Sequence, residues 1–377
     1  MSEVHRAVLD AALEFTEREI APVGGEIDVS DRFPDWLWHR LGELGLLGAG
    51  IPERWGGSGG DLLTASLIVE ALAHGSPAVA QSFGAHNNLC AHNLLRNGTD
   101  EQRQRYLPGL CTGQAIGGLA LTEPDAGSDA TGIKMRARVE DKGYRLTGTK
   151  TFITNGSIAD LLIVYAKTEP EAGRRGITAF LVEPKTMGVR VDSVLDKMGM
   201  HGSPTTVLSF DGVLVPQENV LGRVNDGLAV MMSGLDVERA FFAFMCVGVA
   251  EQALKYTLEY ALAREQFGQK IGEFQLVQAK IADSYTAVEA ARLLAYKAAR
   301  AVQGRRRASL ESASAMLFAA ETAQLSTNNA VQVFGGYGYI RESPVERLYR
   351  DARILTIGAG TSEIRRTLIA RELLRLR

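Results

Sequence analysis

The chain has 377 residues, which favours several domains because one hydrophobic core rarely exceeds about 250–300 residues. Hydrophobic residues make up 46% and charged residues 23%, and the net charge of -3 excludes a general attraction to nucleic acid or anionic membranes. The three cysteines are too few and too far apart for a disulfide or zinc framework, which fits a reducing compartment, and no metal site is expected.

The N-terminal residues lead directly into an amphipathic acidic pattern. They contain neither the apolar stretch of a signal peptide nor the Arg/Ser-rich, acid-poor composition of a transit segment. No apolar run approaches the roughly 20 residues that span a bilayer. We therefore expect a cytoplasmic protein without a membrane span.

Three patterns follow one another along the chain. Residues 3 to about 117 place apolar residues at helical spacing, with Gly/Pro breaks such as 50–61. From about 119 to 230, short β-branched runs such as 160–168 and 176–183 predict an antiparallel sheet or small barrel. Helical spacing then returns in four segments, which predicts a four-helix bundle.

The predicted fold is therefore mainly α with a β middle domain. We expect an N-terminal helical domain over residues 1–118, a central antiparallel β-barrel over 119–227 and a C-terminal four-helix bundle over 228–377.

The β region opens with "LALTEPDAGSDATG", residues 119–132. Pro124 and Gly127 predict a tight loop, and Thr122, Ser128 and the backbone amides offer polar contacts to a ring system or a phosphate. Taken alone, the segment is equally consistent with an ordinary Asx-rich turn.

Two glycine-broken junctions interrupt the C-terminal helices, at "AREQFGQKIGEFQ" (263–275) and "QVFGGYGYIRESPVERLYRD" (332–351). No strand precedes the second junction, so a dinucleotide-binding Rossmann unit is not expected. Such glycines allow close helix packing or the close approach of a ligand.

A third glycine segment, "ILTIGAGTSEIRR", spans residues 354–366. Gly358, Ala359 and Gly360 have little or no side chain, and hydroxyls and a carboxylate follow at once. This pattern predicts a backbone that approaches a ligand closely, with neighbouring polar side chains that hold it.

Taken together, these motifs resemble the acyl-CoA dehydrogenase family over nearly the full chain, since "TEPDAGSD", "FITNG", "REQFGQKIGEFQ", "FGGYGYI" and "GAGTSEIRR" occur in that family's order and spacing. The isovaleryl branch also resembles this chain at residues 82–90, 195–203 and 233–240. The resemblance implies FAD as cofactor, a homotetramer, an acyl-CoA or acyl-carrier-protein substrate, and an electron-transfer flavoprotein as acceptor.

The resemblance also implies which residues bind the cofactor. A neighbouring subunit contributes part of each site in the family, here Arg264, Gln275 and the loop that starts at Gln332. The implied FAD-binding residues are Leu119, Leu121, Thr122, Gly127, Ser128, Phe152, Ile153, Thr154, Arg264, Gln275, Gln332, Val333, Gly335, Gly336, Thr361, Ser362 and Glu363.

The reaction that the resemblance implies needs a carboxylate to remove the proton α to a thioester. Much of the family carries that carboxylate at the position of Ala359, where this chain has none. The isovaleryl and long-chain branches place it on the first helix of the C-terminal bundle, which matches Glu238. A surface ion pair of Glu238 with Arg239 is the alternative, and Asp236 is a competing carboxylate that does not match the base position.

The backbone N–H of Ala359 is then expected to bind the thioester oxygen. The implied substrate-binding residues are Ser128, Arg174, Arg175, Asp236, Arg239, Gly358, Ala359 and Gly360, although Arg174 and Arg175 also fit a solvated hairpin tip.

Several positions bear on the acyl group. Gly358 stands where many straight-chain relatives have an aromatic residue, which favours a short, branched acyl chain. Phe241, Phe242 and Met245 share the helix face of Glu238, where they either limit the depth of the pocket or form the core of the bundle. Isovaleryl relatives have a tyrosine at the position of Ala229 and glycines at those of Phe244 and Met245. These departures argue against isovaleryl-CoA itself and make a dehydrogenase of carrier-bound acyl groups an alternative. A flavin oxidase on the same fold is a separate alternative.

Overall fold

The computed structural model describes residues 1–304 and 307–375. Its first third is helical, as predicted, and α4 illustrates why. Asp61 caps that helix by accepting from the Thr64 N–H at 2.8 Å, while the Asp61 N–H donates to the Thr64 hydroxyl at 3.3 Å. The helices are α1 (Glu3–Phe15), α2 (Gly24–Ser30), α3 (Asp35–Glu43), α4 (Leu62–Gly75), α5 (Pro77–Gly84), α6 (Asn93–Asn97) and α7 (Asp100–Thr112), with a π-helical stretch (Ala85–His92) between α5 and α6.

The middle third is β, also as predicted. Its strands are β1 (Gly117–Ala120), β2 (Arg136–Glu140), β3 (Gly143–Thr154), β4 (Leu161–Lys167), β5 (Ile177–Val182), β6 (Val189–Val194), β7 (Thr205–Val215) and β8 (Val220–Leu221). They pair in the order β6-β7-β3-β2-β4-β5-β8, and β1 pairs in parallel with β4.

The predicted central antiparallel β-barrel is confirmed only in part, as a sheet that pairs β1 with β4 in parallel and does not close into a barrel. The two ends of the sheet, β6 and β8, do not pair with each other within the described residues. Strand β6 is almost wholly exposed and β8 has two residues. Closure requires complementary edges, and a sequence of short apolar runs does not specify which edges meet.

The last third contains α8 (Gly227–Ala263), α9 (Gln275–Gly304), α10 (Ser309–Phe334), α11 (Pro344–Ala352) and α12 (Ser362–Leu374), with a small hairpin of β9 (Glu265–Gln266) and β10 (Gln269–Lys270). The long helices α8, α9 and α10 pack on one another, and α12 packs on α10, which confirms the predicted bundle. Helix α4 of the first third also packs on α8, so the middle of α8 is buried on every side.

A buried charged cluster connects the first and last thirds. Arg350 on α11 donates to both carboxylate oxygens of Asp28, at 2.9 and 2.7 Å, and to Glu346 at 2.6 Å. The adjacent Asp351 accepts from the Met200 N–H of the loop between β6 and β7, and burial raises its pKa to about 6. These contacts fix α11, from which the chain continues to the Gly358–Gly360 loop.

Across residues 1–304 and 307–375, none of the helices combines the length and the apolar character needed to cross a bilayer.

Candidate active site

Glu238 lies on α8, about three turns after the helix begins, and its side chain is only partly exposed. Burial raises the pKa of its carboxyl, while the nearby guanidinium groups of Arg239, Arg365 and Arg96 act in the opposite direction. Three cations thus act on Glu238, whose pKa burial moves upward.

The Gly358–Gly360 loop joins a short 3₁₀ turn (Arg353–Thr356) to α12. Ala359 has φ +55° and Gly360 has φ +87°, both left-handed values, which are uncommon for alanine. Thr361 caps α12 by accepting from the Ile364 N–H at 3.3 Å. The Ala359 N–H makes no hydrogen bond within the described residues, so it is available to a hydrogen-bond acceptor on a ligand.

Arg365 holds this loop in place. Nothing in the sequence predicted this role for Arg365. Its side chain is fully buried and donates to the carbonyls of Leu355 at 3.1 Å and Gly358 at 2.6 Å. The same guanidinium lowers the pKa of Glu238 against the effect of burial. Glu238 and the Gly358–Gly360 loop, separated by more than a hundred residues, are therefore brought together around one cation.

Two of the predicted cofactor segments, 119–128 and 152–154, also lie side by side. The Thr151 N–H donates to the Thr122 carbonyl at 2.9 Å, and a Cβ on Gly118 would lie 3.0 Å from the Thr154 carbonyl oxygen. Ile153 is buried beneath them, whereas Phe152, at φ +58°, turns its ring outward and is 66% exposed. Strained backbone positions cluster at ligand sites, and an exposed aromatic ring can stack on a planar ligand.

A buried ion pair supports these segments from below. Lys150 on β3 is fully buried and donates from Nζ to the Leu121 carbonyl and to Glu123 Oε1, both at 2.8 Å. Glu123 in turn accepts the backbone N–H groups of Lys134 at 2.6 Å and Met135 at 3.0 Å. Burial lowers the pKa of Lys150 to about 8, and Glu123 opposes that shift. The pair closes the 123–135 loop onto β3.

Arg264 and the loop 333–336 meet in a separate groove of about 550 Å³. The Arg264 guanidinium lies 5.8 Å from the centre of the Tyr337 ring, and Cβ atoms on Gly335 or Gly336 would project into open space. None of the lining residues belongs to 119–128, 152–154 or 358–363. Gln275 and Gln332 are close to these residues in the sequence. Both are exposed, and neither lines the groove.

The predicted substrate-binding residues are not all placed together. Asp236 accepts from the Ala308 N–H and the Ser309 hydroxyl, each at 3.0 Å, and so binds the start of α10. Its other carboxylate oxygen accepts from Arg239 Nη1 at 3.4 Å. Arg174 and Arg175 are exposed on the turn between β4 and β5, the position expected of a solvated tip. Ser128 and Gly127 are exposed on the loop after β1.

The residues present fit a flavin nucleotide. The Ser362 hydroxyl is buried without a hydrogen-bond partner within the described residues, and Thr361 precedes it at the N-terminus of α12. Phe152 offers an exposed ring, and the Arg264 groove offers a cation beside two glycines. Together these features provide an aromatic face, polar donors and a positive charge for a phosphate.

Comparisons with known proteins found family models, relatives and a solved structure that are similar to this chain. The models for the N-terminal, middle and C-terminal domains of acyl-CoA dehydrogenase match residues 2–114, 118–213 and 225–374. Mitochondrial isovaleryl-CoA dehydrogenase from Solanum tuberosum is 45% identical over 97% of this chain and 89% of that protein. Mitochondrial 2-methylacyl-CoA dehydrogenase from the same plant is 43% identical, over 99% and 91%.

A solved structure of butyryl-CoA dehydrogenase from Megasphaera elsdenii superposes with a TM-score of 0.97 at 40% identity, covering 100% of this chain and 99% of that one. A TM-score of 0.97 over essentially the whole of both chains shows that they share one fold.

Proposed function

Because the chain belongs to the acyl-CoA dehydrogenase family, we propose that it is an FAD-dependent oxidoreductase that converts a short, branched acyl-CoA into its α,β-unsaturated thioester. The observation that carries the proposal is that the Arg365 guanidinium, which donates to the Gly358 carbonyl, also acts electrostatically on Glu238. The loop has no carboxylate of its own. Glu238, on another helix, supplies a carboxylate that interacts electrostatically with the cation bound to the loop.

Glu238 is the proposed base, which takes the α-proton of the thioester onto its carboxylate. A general base acts best when its pKa lies near the operating pH, and burial moves the pKa of Glu238 upward in that direction. The ion-pair alternative is weaker, since Glu238 forms no salt bridge within the described residues and Arg239 pairs with Asp236.

The Ala359 N–H is the proposed donor to the thioester oxygen. Ala359 has a left-handed conformation, its N–H makes no hydrogen bond within the described residues, and Arg365 fixes the carbonyl of Gly358 just before it. A donor aimed at the oxygen of the developing enolate stabilises the transition state by about 3 kcal/mol. Small residues on either side leave the backbone accessible to the substrate.

FAD, when bound, supplies the acceptor for the β-hydride. The residues proposed to hold it within one subunit lie along 119–128, 152–154 and 361–363, where Phe152, Thr361 and Ser362 provide the ring contact and the hydroxyls. An electron-transfer flavoprotein is the proposed acceptor of the electrons.

The preference for a short, branched chain rests on two features. A Cβ on Gly358 would meet its nearest atom at 3.6 Å, an ordinary contact, so space remains beside the thioester. Phe242, one turn after Glu238, is 4% exposed and packs against Gly84 on α5, where a Cβ would lie 2.7 Å from its ring. Phe241, Phe242 and Met245 all belong to the buried core, and Phe242, the least completely buried of the three, is proposed to limit depth.

A homotetramer is proposed because the Arg264 groove contains part of the predicted cofactor site without the rest. Large apolar side chains in the segment that follows Arg264 are exposed, including Phe267 at 95% and Leu276 at 82%. Contiguous exposed apolar residues are typical of subunit interfaces. Arg264→Ala should weaken both FAD retention and assembly, and a stable flavin-containing monomer in light scattering would contradict the proposal.

The test is anaerobic flavin reduction by a panel of acyl-CoA and acyl-carrier-protein thioesters. Branched short-chain CoA esters should bleach the flavin fastest, and Glu238→Gln should retain FAD but lose reduction by at least about a thousand-fold. Exclusive reduction by carrier-protein thioesters would support the carrier-bound alternative, and rapid reoxidation by oxygen the oxidase. A Glu238→Gln variant that bleaches at the wild-type rate would show that the base is elsewhere.

A further inference from the structure

Arg96 on α6 approaches the same face of α8 that carries Glu238. A Cβ on Gly234 would lie 3.2 Å from Arg96 Nη2, and Gly234 precedes Glu238 by four residues, so both positions lie on one helix face. The neighbouring Asn97 amide donates to the Ser233 hydroxyl at 3.1 Å, which holds α6 against the start of α8. The guanidinium is thus placed one helical turn from the proposed base.

Arg96 has no carboxylate bonded to it within the described residues, although its Nε is buried. The other titratable groups around it are neutral near pH 7, because burial raises the pKa of Tyr165 on β4 to about 12 and lowers the pKa of His92 to about 3. Burial lowers the pKa of Arg96 itself to about 10, so it remains a cation. Glu238 is the carboxylate whose charge opposes that shift.

The other two cations that face Glu238 have different partners. Arg239 on α8 pairs with Asp236, and Arg365 on α12 donates to the carbonyls of the Gly358–Gly360 loop. A guanidinium that has a buried Nε and no bonded partner is costly unless its charge is compensated. Of the three, Arg96 is the one without another bonded partner in the described residues.

We propose that Arg96 is a positioning residue for this reaction, whose guanidinium keeps Glu238 ionised and directs its carboxylate toward the α carbon. The inference rests on the proposed function of Glu238. When the α-proton moves to Glu238, the carboxylate becomes a neutral acid and the electron pair of the C–H bond passes to the enolate. Arg96 neither gives nor takes a proton, so its contribution is electrostatic.

The inference can be tested without hydride transfer. 3,3-Dimethylbutyryl-CoA has α-protons but no β-hydrogen, so the holoenzyme can only exchange its α-protons with D2O, which NMR follows. Arg96→Met should move the acid limb of the exchange rate upward by about one pH unit, because loss of the cation favours the neutral acid. Arg96→Lys should retain most of the wild-type profile.

Arg105→Met is the matched control, since Arg105 is an exposed arginine on α7 that pairs with Glu183 at 2.8 Å. It should leave the profile unchanged. Gly234→Ala gives a second perturbation if Arg96→Met does not fold, because the added methyl displaces the guanidinium and alanine favours the helix. It should shift the acid limb in the same direction by a smaller amount.

An unchanged acid limb in folded Arg96→Met, or in Gly234→Ala if the first variant does not fold, would overturn the inference. Failure of the proposed function has a different signature. In that case the wild-type protein would not exchange the α-protons, or Glu238→Gln would exchange them as fast as wild type.

Discussion

Lys150→Met should destabilise the protein strongly and weaken its affinity for FAD. The substitution removes the bonds from Nζ to the Leu121 carbonyl and to Glu123, both at 2.8 Å, and leaves the Glu123 carboxylate buried without its cation. Breaking a buried ion pair by removing one partner costs about 3–5 kcal/mol. Because Leu121 lies in the proposed flavin segment, we also expect an FAD dissociation constant at least about ten-fold higher, equivalent to about 1.4 kcal/mol.

Urea unfolding of the apoprotein measures the first effect, and fluorescence titration with FAD measures the second. Lys134→Met is the control, since Lys134 lies in the same loop and pairs with Asp125 while both side chains are 74% exposed. An exposed pair is worth about 0–1 kcal/mol. If Lys150→Met costs no more than Lys134→Met, the buried pair does not organise the loop and the reasoning fails.

Asp351→Asn should flatten the pH dependence of the free energy of unfolding between about pH 4 and 6. Burial raises the pKa of Asp351 in the folded protein to about 6. The stability that Asp351 contributes is therefore complete below its unfolded pKa and is lost as pH rises through the folded pKa. Urea midpoints across this range should fall for wild type relative to the variant, and parallel curves would contradict the assignment. Phe242→Ala should shift flavin reduction toward longer acyl chains and cost about 3–5 kcal/mol. Phe244→Ala, whose ring packs on Tyr296, should cost as much stability without changing chain preference; an identical shift would exclude Phe242 as the depth limit. A Glu238→Ala, Ala359→Glu double variant should recover part of the flavin reduction that Glu238→Ala loses, because both carboxylates are expected to reach the same α carbon, and rates no higher than those of Glu238→Ala would count against this.

Local chemistry made much of this molecule predictable. Helical and β spacing depend on neighbouring residues, so the three-part order of the chain could be read directly from its sequence. The Gly358–Gly360 segment was predicted to approach a ligand closely, and the structure gives Ala359 a left-handed φ in a loop with a free N–H. Glu238 emerged as the base candidate from the missing carboxylate at Ala359, and its catalytic role stays a prediction.

Charged side chains were the least predictable, because their roles depend on distant elements. Asp236 binds the start of α10, more than seventy residues away, and Arg365 is fully buried although its helix begins with an ordinary polar pattern. One signal was present: Ser362 and Arg365, three residues apart, are the buried positions of α12. Arg96 gave no comparable local signal.

The sequence by itself determined which segments are helix or strand, because those preferences follow from backbone conformations and from apolar spacing over a few residues. Tertiary structure alone decided that the sheet stays open at β6 and β8 and that Phe241 and Met245 are core. It also decided that Arg96, Arg239 and Arg365 surround one carboxylate. Burial and electrostatic interaction depend on distances between segments far apart in the chain, and those distances exist only once the helices and the sheet have packed.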